Sequence, residues 1–230
     1  MISKLVVGVW YSKNTKWVLT LASVILAFLL FTSEVWEADS GKSELVGRFD
    51  KVTIATLSEM RNPVLTNIAI EVSALGSVTI LAIAVLVGAL LFSLSKKYLN
   101  CGFLTLTMTG AGLLSQILKS SFERSRPPLA DHLVQVQGFS YPSGHSLGGT
   151  VFYLILAFLV TENFHSRTHK FVIFSVLIIL ILVIGLSRIY LGVHYPTDVV
   201  AGIMMGSVWA IFSYKLKLEV QRLGIADQCS

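Results

Sequence analysis

Six apolar runs divide this chain: residues 17–32, 67–94, 101–118, 146–161, 171–186 and 199–214. Crossing a bilayer core takes about 20 apolar residues in a helix, and a helix also satisfies its own backbone away from water. Several runs are near the short end of that range, so flanking residues are expected to extend their helices. Composition agrees, with 54% hydrophobic and 13% charged residues and a mean hydropathy of +0.74. An ordinary soluble domain carries about 25% charged residues. The expected fold is an all-α polytopic membrane protein with six transmembrane helices, residues 1–230 forming one domain.

The first run follows Lys4, Lys13 and Lys16, as a signal peptide would. Residues 32–40, TSEVWEADS, lack a small-x-small cleavage site, so the run reads as an uncleaved span. Residues 33–66 are mostly acidic (Glu34, Glu37, Asp39, Glu44, Asp50, Glu59), with Leu45, Phe49, Val52, Leu57 and Met60 at helical spacing. That pattern fits either a packed surface helix or one lying along the membrane surface; Pro63 ends it. In the third run Gly110, Ala111, Gly112 and Ser115 suit close helix contact.

Lysines and arginines of alternate loops set orientation. With the N-terminus inside, the inner segments hold ten and the outer segments eight, of which Lys119, Arg126 and Arg188 fall in the polar clusters described next. Both termini are therefore expected on the cytoplasmic side of the plasma membrane. Cys101 and Cys229 then lie inside, where thiols stay reduced. The net charge of +5 belongs to this loop pattern and implies no nucleic-acid partner.

Three polar clusters adjoin the apolar runs. Residues 187–198 read SRIYLGVHYPTD, residues 119–127 KSSFERSRP and residues 141–145 YPSGH. Charge at membrane depth is costly unless it faces protein or water, so such clusters mark a functional site. In the six-span arrangement all three fall on the outer face, as do all five prolines. The expected site therefore lies at the outer membrane–water interface.

Taken in order the clusters give KxxxxxxRP, PSGH and SRxxxxxHxxxD. The chain thereby resembles the type 2 phosphatidic acid phosphatases, membrane lipid phosphatases that share their site with vanadium haloperoxidases. Lys119, Arg126 and Pro127, then Pro142, Ser143, Gly144 and His145, then Ser187, Arg188, His194 and Asp198 fill every motif position.

The residue types suit phosphoryl transfer, which depends on positioning and on stabilising charge at the phosphoryl oxygens. Lys119, Arg126 and Arg188 supply fixed positive charge, and arginine's fork matches phosphate. Ser143 can donate its hydroxyl, Gly144 permits close backbone approach, and the N–H groups of residues 143–145 open a helix, a ready anion site. Asp198 lies one helical turn beyond His194 and can orient it; His145 has no carboxylate at that spacing. Spacing alone does not decide which histidine attacks. The resemblance implies His194 as nucleophile forming a phosphohistidine, Asp198 as its orienting partner, and His145 as general acid and then base, with no metal or other cofactor.

Other residues have plainer readings. Arg124 is expected to be a solvated or headgroup-facing charge, and Glu123 and Asp131 loop salt-bridge partners. His132 has no assigned role, and His165 and His169 belong to an exposed inner turn. Tyr141, Tyr190 and Tyr195 fit an interfacial aromatic belt. The resemblance implies a lipid phosphate substrate within the bilayer and no obligate protein partner. Undecaprenyl diphosphate ranks first, ahead of phosphatidylglycerophosphate, phosphatidic acid and lipid A. A lipid phosphotransferase keeps the same site, and a lipid or anion transporter is the non-enzymatic alternative.

Overall fold

The computed structural model describes residues 2–224, with side chains at 19–20, 22–128 and 130–224. The described backbone is helical: α1 (Ile2–Asp39), α2 (Glu44–Glu59), α3 (Pro63–Ala74), α4 (Val78–Leu94), α5 (Tyr98–Phe122), α6 (Gly144–Thr161), α7 (Arg167–Tyr190) and α8 (Pro196–Arg222). A single 3-10 turn, Leu129–Asp131, interrupts the long α5–α6 loop. Among the described residues, α5, α6, α7 and α8 are long and apolar enough to cross a membrane, and α3 with α4 forms a fifth, broken candidate. The chain is a multi-pass membrane protein. The expected first span lies in α1, and its residues 17, 18 and 21 fall outside the described side chains.

Polar residues at the helix starts fix where each begins. Asn62 caps α3 through Leu65 N (3.0 Å), with Pro63 following, and Ser77 caps α4 through Ile80 N (3.3 Å). Ser143 and Ser166 do the same for α6 and α7. Flanking residues do extend the helices: α1 runs to Asp39, and α5 continues to Phe122, so Lys119 sits on a helix rather than in a loop.

The expected unbroken span over residues 67–94 is instead two helices bent by 42°. Ser77 offers α4 a fresh cap, and Gly76 leaves room at the break. A Cβ on Gly76 would meet Ile184 Cγ2 at 2.7 Å and the His145 carbonyl at 3.2 Å. The carbonyl of Leu75 is answered by Tyr153 Oη at 3.0 Å. Because Gly76 abuts His145, α4 and α6 begin at one level, and the 17 residues of α4 alone rise about 25 Å. α3 therefore stands beside the polar end of the bundle as a wall.

α6 is the central helix, touching α4, α5, α7 and α8. Its closest seam is with α8, where Gly202 and Gly206 replace side chains with backbone approach. A Cβ at Gly202 would lie 2.7 Å from the Ser143 carbonyl, and one at Gly206 2.8 Å from that of Leu147. This is the small-xxx-small packing of membrane helices. Of the glycines expected at contacts, Gly110 packs under Trp209, whereas Gly112 faces open space. At the far end Lys217 of α8 pairs with Glu162, pinning the same two helices. Cys101 is a free thiol; Cys229 lies outside the described residues.

Gly206→Leu should force α6 and α8 apart and cost about 1–3 kcal/mol, as overpacking does, read as a lower thermal unfolding midpoint in detergent. Gly112→Ala, into open space, should leave the midpoint unchanged or raise it slightly.

Candidate active site

The polar end of the bundle is assembled from the ends of α5 and α7, the starts of α6 and α8, and the α5–α6 and α7–α8 loops. All the motif residues meet there. Lys119 comes from α5, Arg126 from the loop, Ser143, Gly144 and His145 from the α6 start, Arg188 from α7, His194 from the turn before α8, and Asp198 from the first turn of α8. His145 lies within electrostatic reach of Arg188, His194, Arg126 and Lys119. A Cβ on Gly144 would sit 3.8 Å from Lys119 Cε.

Asp198 is fully buried. Its Oδ1 accepts from Arg124 Nη1 at 2.7 Å; its Oδ2 accepts from Ser140 Oγ and from Tyr195 N at 2.9 Å. The same Oδ2 lies 3.4 Å from His194 Nδ1, across the single helical turn that the spacing implied. Since Ser140 donates to Asp198, its oxygen is left as an acceptor toward His194 Nδ1, 3.3 Å away. Both neighbours of Nδ1 thus favour the tautomer protonated there. Nε2 then carries the lone pair, which accepts from Arg126 Nη1 at 3.3 Å. Burial foremost pushes the His194 pKa down, to about 4; Asp198 opposes this, and Arg126 and Arg188 add to it. The ring is neutral at neutral pH.

The cations are held by neutral oxygens. Lys119 Nζ donates to the Phe139 carbonyl at 2.6 Å, and Arg126 donates to the carbonyls of Gly138 (2.9 Å) and Val193 (2.8 Å). Arg188 Nη1 donates to Ser73 Oγ of α3 at 2.6 Å, while its buried Nε has no hydrogen-bond partner. Ser143 departs from the expected open anion turn. Its N–H donates to the Asp198 carbonyl at 3.0 Å, and its buried Oγ accepts from Ser146 N and Oγ. The N–H groups left at the α6 start are those of Gly144 and His145.

Several plainer expectations are corrected. Arg124 is neither solvated nor headgroup-facing: it is buried among Asp198, Asp50 (2.8 Å) and Thr197 (2.8 Å), because those carboxylates sit where its fork reaches both. Burial opposes its charge, yet Asp198 and Asp50 outweigh this and hold its pKa above the usual value. Nor do the three tyrosines form a belt. Tyr141 is buried with its hydroxyl bonded to Thr32 (2.7 Å), Tyr190 is buried against Asn62 and Thr66, and Tyr195 lies under the Arg124 guanidinium at 4.2 Å. Glu123 and Asp131 form no ion pair among the described residues; the Asp131 carbonyl accepts from Arg61 at 2.9 Å. His132 bonds the Pro127 carbonyl at 3.0 Å, and His165 and His169 are exposed.

Sequence reasoning missed Asp50, Ser73 and Ser140. A signal existed for Asp50: with Val46, Ile54 and Leu57 it forms the inward stripe of α2, while Leu45, Phe49 and Val52 are exposed on its other side. A carboxylate in a buried stripe asks for a cation.

Comparison with known proteins accords with this geometry. Residues 100–222 match the PAP2 superfamily. Phosphatidylglycerophosphatase B of Bacillus subtilis is 33% identical over 187 residues, spanning 80% of this chain and 85% of that protein. A lipid A 4'-phosphatase of Porphyromonas gingivalis is 28% identical over 81% of this chain and 80% of that protein. The crystal structure of a transmembrane PAP2-type phosphatidylglycerolphosphate phosphatase from Bacillus subtilis superposes with a TM-score of 0.77 at 26% identity, covering 87% of this chain and 96% of that one. With the three motifs converging on one buried centre, the chain belongs to the PAP2 superfamily of membrane lipid phosphatases.

Proposed function

We propose that this protein hydrolyses a lipid phosphate headgroup at the outer leaflet of the plasma membrane, without a metal, through a phosphohistidine on His194. The observation that carries this reading is the neutral, oriented His194 facing Arg126, with Lys119, Arg188 and the α6 N–H groups around it. A headgroup phosphate would take over the donors of Lys119 and Arg126 now turned to carbonyls and to His194 Nε2, and would meet the unpartnered Nε of Arg188, whose Nη1 is held by Ser73. The N–H groups of Gly144 and His145 complete the cradle, with the Ser143 hydroxyl behind them. As Arg126 turns from Nε2 to the phosphate, His194 Nε2 attacks phosphorus in line with the leaving oxygen, the P–O bond breaks, and His145, protonated once the bound anion offsets the surrounding cations, delivers that proton to the oxygen. Asp198 stabilises the cationic phosphohistidine. Water, deprotonated by His145, then attacks phosphorus and frees His194 and inorganic phosphate.

Six spans suit this reading, α1 supplying the first and α3 with α4 the second. Both termini then lie in the cytoplasm and the site faces outward, as the loop cations favour. The lipid would enter sideways from the bilayer, its tails remaining between helices. Phosphatidylglycerophosphate is the favoured substrate, since the Bacillus subtilis phosphatidylglycerophosphatase B aligns along most of both chains. Undecaprenyl diphosphate, first on sequence grounds, is the second reading. A putative Escherichia coli undecaprenyl-diphosphatase is 34% identical, but over 36% of this chain.

Purified protein should release phosphate from phosphatidylglycerophosphate faster than from undecaprenyl diphosphate, phosphatidic acid or lipid A, with excess EDTA making no difference. His194→Ala should abolish turnover, and His145→Ala should lower kcat by about 10²–10⁴-fold, the range of general acid–base catalysis. Activity lost to EDTA, or kept by His194→Ala, would contradict the mechanism. Because the His194 pKa is depressed, its free base persists as pH falls below 6.5. Corrected for ionisation of the lipid phosphate, kcat/KM should hold through pH 6 and decline only toward about 4. An acid limb near 6.5 would mean an ordinary, solvated histidine.

A further inference from the structure

We propose that Arg124 and Asp50 are positioning residues for the reaction, setting the orientation and effective charge of the Asp198 carboxylate that faces His194. The inference rests on the roles of His194 and Asp198 proposed above and extends them to α2, outside the three motifs.

The geometry is a relay of alternating charge. Asp50, buried in the inward stripe of α2, accepts from Arg124 Nη2 at 2.8 Å, from Thr197 N at 3.1 Å and from Thr197 Oγ1 at 2.7 Å. It therefore holds the first turn of α8, where a helix favours negative charge. Arg124 Nη1 reaches past it to Asp198 Oδ1 and to Thr197 Oγ1. The two nitrogens of one planar fork thus serve two carboxylates, which an ammonium cannot reproduce. Stacking on Tyr195, the neighbour of His194, fixes the plane of that fork.

The division of labour on Asp198 makes this more than a structural ion pair. Oδ2 faces His194, while Oδ1 faces Arg124. Arg124 draws the carboxylate's charge away from the histidine, and Asp50 moderates Arg124. The other charged groups acting on the His194–Asp198 pair are Arg126 from the α5–α6 loop, Arg188 from α7 and Lys119 from α5, which acts on Asp198, with His145 of α6 nearby. None of these contacts Asp50. Asp39, half-exposed and 3.6 Å from Arg124 Nε, sits at the outer edge of the relay.

The signs of the expected effects are opposed. Asp50→Asn keeps the shape but leaves the full charge of Arg124 on Asp198. His194 becomes less basic, so the acid limb of kcat/KM should move to lower pH and kcat should fall on the order of tenfold, with KM within about twofold. Removing Arg124 alone would strand two buried carboxylates and risk misfolding. The arginine is therefore removed with the charge of Asp50, as Arg124→Gln/Asp50→Asn. Asp198 is then unshielded, His194 becomes more basic, and the acid limb should move to higher pH than wild type. Asp50→Glu, which retains the charge, should bring the limb back.

The test measures phosphate release by full-length protein in detergent micelles containing phosphatidylglycerophosphate, across pH, beside thermal unfolding and a His194→Ala control. Opposite displacement of the two limbs at unchanged KM supports the relay. If one variant fails to fold, the direction of shift in the other decides. Wild-type kcat and limb positions in both variants would overturn the inference and leave the phosphatase reading intact. So would losses that follow the unfolding midpoint with no limb shift, which is what a purely structural role produces. Wild type inactive on phosphatidylglycerophosphate, undecaprenyl diphosphate, phosphatidic acid and lipid A alike, or active His194→Ala, would overturn the phosphatase reading and this inference with it.

Discussion

The carboxylate of Asp198 is the group on which the polar end of this membrane protein is built. Sealed from water at the start of a spanning helix, it would be strongly destabilising without partners, since an unpaired buried charge costs several kcal/mol. Every side of it is answered: Arg124 at Oδ1, and Ser140, the Tyr195 amide and His194 at Oδ2. Those partners come from the α5–α6 loop and from the turn before α8, so satisfying one charge draws two separate loops onto the same helix start. The loops then take the shape the site needs, with Arg126 brought over His194 by the Val193 carbonyl.

The α6–α8 seam delivers that helix start to the right place. Gly202 and Gly206 let α8 lie against the α6 backbone, and the Ser143 N–H donates to the Asp198 carbonyl. The cap of α6 and the first turn of α8 are thereby joined through backbone, independent of side-chain rotamers. His145 and His194 lie one on each side of this joint, within electrostatic reach of each other. Loss of packing at the seam would thus reach the chemistry through geometry, with no charged residue altered.

What the sequence made legible divides by the range of the interaction. The motif residues could be read because their identities and order are local signals, and His194 with Asp198 because one helical turn is a short-range fact. Apolar runs located the four long apolar helices and the broken pair, and the smaller discrepancies at their ends reflect helices that outlast their apolar stretch, as α5 does through Lys119. Arg124 could not be read. Its burial depends on Asp50 and Asp198, each 74 residues away, and a charged residue in a loop looks solvated until its partners are known. The tyrosines failed similarly, because an aromatic ring near a span end suits the interface and the interior equally well. The break in residues 67–94 was hidden because Gly76 and Ser77 are unremarkable in an apolar run; only the close approach of Ile184 and the His145 backbone makes the glycine necessary.

The state of the cations bears on how such a site can bind a phosphate and still release it. Lys119 and Arg126 are not bare: carbonyl oxygens from residues 137–139 and Val193 already occupy their donors. In the proposed reaction, binding a headgroup would exchange neutral acceptors for anionic ones, adding ion-pair attraction to hydrogen bonds whose donors are already charged. The gain would be the difference between two sets of bonds rather than the whole of one, which would keep product phosphate from being held too tightly. Arg188 is the exception, with one donor on Ser73 and its buried Nε on nothing. Its donor has no competing partner to give up, so of the three cations it is the one poised to discriminate an occupied site from an empty one. α3, through Ser73, holds the Arg188 guanidinium in place, and in the proposed reaction this would give the broken span a role in binding that an unbroken helix, without its bend at the site, would not provide.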